Sequence, residues 1–133
     1  MKSFIAPAVA ACLLVAPGCG ANGDEPTRAY TLGLEVDDSQ DEYRYVATGP
    51  VDIRVGDEVT FDLDNTGTFV HDVQVVGPDG NMIAKAEPAA PGTETTVTVQ
   101  FDEAGFHRLD CLVDDHLTAH GMQTFIEVTD PAT

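Results

Sequence analysis

Between Cys111 and Met122 the chain places a thiol, an imidazole and a thioether within twelve residues, at Cys111, His116 and Met122. Soft sulfur suits Cu(I) and imidazole nitrogen suits Cu(II), so a strand-end loop holding both donor types is matched to a copper ion that changes between these states. Sequence spacing supplies only part of a coordination sphere here, and a third strong donor must come from elsewhere in the chain. Taken singly, each residue also has a plainer reading: a lone cysteine is commonly core, and a methionine beside Phe125 fills space.

The cysteine count sharpens the question. Residues 1–18 carry one basic residue, Lys2, then an apolar run from Phe4 to Val15, then small residues up to Cys19, which is the three-part build of an export signal. The run is shorter than the roughly 20 apolar residues that a membrane-spanning helix needs. The Ala16-Pro17-Gly18-Cys19 junction resembles a bacterial lipobox, although Ala16 stands where leucine is usual, and cleavage without a lipid is the alternative. The Gly-Cys step and the polar tether over 19–28 favour a lipid on Cys19, with the mature domain, residues 29–130, exported and anchored outside the cytoplasmic membrane, periplasmic or on the cell surface. Cys12 leaves with the signal, so the exported domain keeps Cys111 alone, and a thiol outside the cytoplasm persists only if buried, catalytic or bound to a metal.

The chain has 133 residues, enough for one domain and one modest core. The formal net charge of -17 repels polyanions and argues against nucleic acid as a partner. All 23 acidic residues lie from Asp24 onward. Solubility or adaptation to salt explains such acidity, and so does steering toward a basic partner.

The elements that must hold these donors read as strands. Short β-branched and aromatic stretches, Tyr30–Val36, Tyr43–Ala47, Val51–Val55, Glu58–Asp64, Val70–Val76, Thr95–Phe101, Phe106–Leu112 and Met122–Thr129, alternate with Gly, Pro, Asp and Asn. In the sixth of these, Val97, Val99 and Phe101 point one way and Thr96, Thr98 and Gln100 the other, as in a half-buried strand. Turns are expected at Val55-Gly56-Asp57-Glu58 and Gly77-Pro78-Asp79-Gly80. About eight short strands over roughly 100 residues predict an all-β sandwich. The acidic stretch 37–42 reads as a solvated loop.

With Asp64-Asn65-Thr66-Gly67 and Val70-His71-Asp72-Val73 upstream, and Gly105 leading to Cys111, His116, Gly121 and Met122 downstream, the chain from about Val51 to Val128 resembles the cupredoxins, or type 1 blue copper proteins. The resemblance implies a Greek-key β-sandwich holding one copper ion, with His71, Cys111 and His116 as equatorial ligands and Met122 as the weak axial ligand. It also implies that His116 is the exposed ligand through which electrons pass to a docked partner. Five residues separate His116 from Met122, a longer gap than the family usually has. Either the loop bulges and Met122 still reaches, or His120 or a backbone oxygen takes the axial place. His107 falls where relatives carry an aromatic residue and is expected to pack against the core, on the face of Leu109 and Cys111.

Enzyme chemistry finds little support. A multicopper oxidase needs histidines flanking its cysteine, and the flanks here are Asp110 and Leu112; a binuclear electron-entry centre needs a second loop cysteine. Ser39 lies in an acidic loop with no neighbouring histidine, and nothing resembles an oxyanion site for a Cys111–His116 thiol hydrolase. The expected role is a non-enzymatic one-electron carrier, with copper storage or delivery as the alternative. Asp114 and Asp115 beside His116 point to a redox partner, a haem protein or copper enzyme, with a basic docking face.

Overall fold

The computed structural model describes residues 26–131. The expected signal, Cys19 and the tether up to residue 25 lie outside the described residues. Nine strands follow in order: β1 (Ala29–Asp37), β2 (Arg44–Ala47), β3 (Ile53–Arg54), β4 (Glu58–Asp64), β5 (Gln74–Val76), β6 (Met82–Lys85), β7 (Glu94–Gln100), β8 (Gly105–Asp110) and β9 (Gln123–Thr129). They form a four-stranded sheet, β2-β1-β4-β7, and a five-stranded sheet, β3-β9-β8-β5-β6. β1 and β4 pair in parallel, as do β3 and β9, and the chain passes repeatedly from one sheet to the other.

Alternation drives the layering. In β4, Val59, Phe61 and Leu63 are fully buried while Glu58, Thr60 and Asp62 point away. Their partners across β7 are Val99, Val97 and Thr95, so apolar side chains of two strands line the same inner face. From the opposite sheet, Val75, Leu109, Ile126 and Val128 close the core, and Phe101 meets Phe61 edge-on at 6.3 Å.

The expected all-β sandwich of about eight strands is found, with two differences of detail. A ninth strand, β6, escapes the pattern: Met82 and Ile83 are both exposed on an edge strand, so no buried face imposes alternation. The stretch 70–76 is strand only from Gln74; His71 makes a lone bridge to Ala89, and the Asp72 carboxylate accepts the Leu112 N–H at 2.8 Å, so this segment leaves the ladder to join the opposite loop.

The turn expected at 55–58 forms around Gly56 but one residue earlier, over 54–57, with Gly56 at φ +94° and Asp57 N–H bonded to Arg54 O. Its Asp57 carboxylate, 4% exposed, accepts Arg28 Nε at 2.9 Å and Nη2 at 2.5 Å, and the Arg54 N–H at 2.9 Å. The Arg28 hydrogen bonds outweigh burial and hold this carboxyl below its ordinary value. A depressed folded-state pKa means that the contribution to stability is complete above the unfolded value of about 4 and is lost as pH falls through the folded one. Asp57→Asn is therefore expected to cost about 1–3 kcal/mol at neutral pH. In urea titrations the gap from wild type should close in acid; a gap independent of pH would exclude the ion pair as its source.

Candidate metal centre

His71 comes from the loop between β4 and β5, Cys111 follows β8 directly, and His116 sits in the loop between β8 and β9. Their donor atoms all lie within 4.8 Å of one another. The Cys111 Sγ is 3.5 Å from His116 Nδ1 and 3.9 Å from His71 Nδ1. All three side chains are buried, and this is the group of metal-binding side chains found among the described residues.

Backbone hydrogen bonds hold the two loops in shape. Asn65, fully buried, donates from Nδ2 to Phe69 O and Ala89 O, while its Oδ1 accepts the Gly67 N–H, so one amide clamps the turn that delivers His71. Across the loop from 111 to 122, the Cys111 N–H donates to Met122 O and the Met122 N–H donates to His116 O. Between them the chain coils, with Ala119 N–H bonded to Asp115 O and Gly121 N–H to Leu117 O, and Gly121 at φ +61° ends the coil. This coil takes up the longer gap between His116 and Met122, and it leaves Met122 fully buried and bonded through its backbone to Cys111 and His116.

His120 does not join the cluster. Its ring stacks on Tyr43 at 4.1 Å, its Nδ1 bonds Asp41 O at 2.7 Å and its Nε2 faces Asp115 at 3.8 Å. His107 packs as expected: it is 1% exposed and meets Phe101 edge-on at 5.0 Å.

The expected exposure of His116 is not found. The residue is only 5% exposed, with Tyr43 edge-on at 5.0 Å and Phe69 and His120 each at 6.2 Å. Tyr43 meets His71 as well, at 5.8 Å, and so covers both imidazoles. The chain entering β2 lies over the site, a long-range packing that strand periodicity does not reveal. The solvated loop at 37–42 also needs correction, since the Asp38 side chain is 4% exposed and its Oδ2 lies 2.9 Å from His71 Nε2. Burial raises the Asp38 carboxyl, but the hydrogen bonds from His71 and from the Phe69 and Thr68 N–H groups outweigh it and hold it below its ordinary range. Asp38, Tyr43 and Asp72 carry no sequence signal for these roles; Asp38 is one of several acids in a row.

The donor set fits a thiophilic, imidazole-binding cation. Burial pushes the Cys111 thiol up to about 11, against the N–H groups of Asp72 and Val113, which lower it. Such a thiol keeps its proton at neutral pH unless a cation displaces it. Burial and the neighbouring His71 lower the His116 imidazole, which leaves its ring neutral with a free lone pair. A thiolate and two imidazoles are the donor types that a type 1 copper ion takes.

No protein-family model matches the sequence, and no curated protein matches it. Solved structures do. Auracyanin A, a blue copper protein from Chloroflexus aurantiacus, aligns with TM-score 0.60 and 18% identity over 76% of this chain and 99% of its own. Reduced rusticyanin aligns at 0.56 and 17%, over 78% and 81% of the two chains. The blue copper oxidase of Nitrosomonas europaea aligns at 0.54 and 19%, over 81% of this chain and 40% of that one. The chain has the cupredoxin fold, and its buried His71–Cys111–His116 cluster fits a single type 1 copper site.

Proposed function

We propose that the protein is a one-electron carrier rather than an enzyme. The observation that carries this reading is the convergence of one donor atom each from His71, Cys111 and His116 within 4.8 Å in a buried site, with Sγ 3.9 and 3.5 Å from the two Nδ1 atoms. His71, Cys111 and His116 would hold one copper ion there, which when bound would supply one-electron chemistry between Cu(II) and Cu(I). The chain's own part is to keep the donors still: Asn65 clamps the His71 turn, Asp72 ties that segment to Leu112, and the hydrogen bonds of Met122 fix the Cys111–His116 loop. Donors held in this way limit rearrangement between oxidation states. Cys111 flanked by Asp110 and Leu112 favours a carrier over an oxidase, and Arg108 Nε further occupies the Asp110 carboxylate at 2.7 and 2.8 Å.

Met122 is proposed as the weak axial donor, because its backbone is bonded to both loop ligands and its side chain is buried. The docking face is proposed to lie over Tyr43, Phe69 and Leu112, with Phe69 and Leu112 about half exposed and Asp114 and Asp115 at the rim. A basic partner, a haem protein or copper enzyme, suits that rim, and exchange with it should slow as salt rises. A lipid on Cys19 would hold the domain at a membrane; recovery of a mature soluble form lacking Cys19 would refute the anchor.

The test is spectroelectrochemical titration of the copper-loaded protein. A reversible one-electron transition is expected, with the ion retained against a chelator in both states; loss of the ion in one state would favour storage or delivery. Met122→Leu should keep the visible band and raise the potential, since the more highly charged ion loses more from one donor fewer. An unmoved potential would remove Met122 from the site.

A further inference from the structure

We propose that Asp38 is a positioning residue for His71: it fixes the imidazole with its proton on Nε2 and biases the centre toward the more highly charged ion. The bias rests on the copper reading above; the fixed tautomer does not.

The carboxylate is built into its place. Its Oδ2 meets His71 Nε2 at 2.9 Å and accepts the N–H groups of Thr68 at 2.8 Å and Phe69 at 3.0 Å, while Oδ1 accepts the Thr68 hydroxyl at 3.3 Å. Gly67 leaves the space it fills: a Cβ there would stand 2.5 Å from Oδ2 and 2.8 Å from Cγ. Thr66 fastens the same turn to the end of β1 through Val36 O at 3.0 Å and Val36 N–H at 3.3 Å. The loop 65–71 is thus wrapped around one anion that packs against a candidate ligand.

Two consequences follow from elementary chemistry. An ionised carboxylate only accepts hydrogen bonds, so His71 must donate from Nε2, which leaves the Nδ1 lone pair directed toward Cys111 and His116. A buried negative charge behind the imidazole attracts a doubly charged ion more strongly than a singly charged one. Removing such a partner typically lowers metal affinity about 10–100-fold. If Cu(I) binding falls less than Cu(II) binding by a factor of ten, the potential rises by about 59 mV.

The full chain is compared with Asp38→Asn, which removes the charge at nearly constant size, and with Gly67→Ala, which crowds the carboxylate and keeps the charge. In the metal-free proteins, nitrogen-15 correlation spectra should show His71 protonated on Nε2 in wild type and mixed tautomers in both variants. In chelator competitions with Cu(II) and with Cu(I), the Cu(II)-to-Cu(I) affinity ratio should fall about tenfold or more in Asp38→Asn. An unchanged tautomer together with an unchanged ratio, even with both affinities weakened equally, would make Asp38 a loop staple only and overturn the proposal. If Asp38→Asn does not fold, the tautomer in Gly67→Ala decides. A wild type without thiolate–copper absorption refutes the copper reading, and the metal-free tautomer still decides what Asp38 does.

Discussion

Replacing Cys111 by alanine should abolish the intense visible absorption of the Cu(II)-loaded protein while leaving the domain folded. The expected band arises from charge transfer between thiolate and Cu(II), and Cys111 is the thiol among the described residues. His71 and His116 persist in the variant, so weak copper binding through nitrogen can continue without the strong colour. The cost to folding should be small beside the spectroscopic loss, because Sγ removal vacates a volume little larger than a methyl group. Wild-type and variant spectra, with circular dichroism to verify the fold, make the measurement. A band that survives in Cys111→Ala would show that some other group carries the colour and would discard the proposed centre.

Phe61→Ala should destabilise the domain by about 3–5 kcal/mol, a large part of the roughly 5–15 kcal/mol that holds a typical domain folded. Phe61 is fully buried, stands opposite Val97 in β7 and Leu32 in β1, and meets Phe101 edge-on. Its loss leaves a cavity between two sheets whose backbones are pinned by their ladders and collapse poorly into it. Phe106→Ala is the control, because Phe106 is 64% exposed and its removal should change stability by less than about 0.5 kcal/mol. Urea unfolding of both variants tests the contrast. A Phe61→Ala loss below about 1 kcal/mol would mean that the core relaxes around the gap or is not centred where the packing puts it.

The sandwich was legible because strands with one buried face write their register into the chain. Val59, Phe61 and Leu63 alternate with Glu58, Thr60 and Asp62, and Val97 and Val99 do the same across the ladder. β6 was not legible, since an edge strand with Met82 and Ile83 both exposed has no such alternation to read. The loop donors Cys111, His116 and Met122 stood close in sequence, so their chemistry could be read from residue types. His71 was legible through resemblance to a family pattern, since a separation of 40 positions from Cys111 says nothing about distance in space.

Local sequence by itself determined what depends on neighbours along the chain: the alternating strands, the glycine turn at Gly56, the solitary thiol of residues 29–130 and the mixed sulfur and nitrogen side chains of one loop. Only the tertiary structure decided that Asp38 leaves solvent to meet His71, that Tyr43 covers both imidazoles, and that His116 is buried beneath it. The reason is physical. Periodicity reports which face of an element avoids water, whereas these contacts join loops about thirty or more residues apart, and their geometry exists only once both sheets have packed.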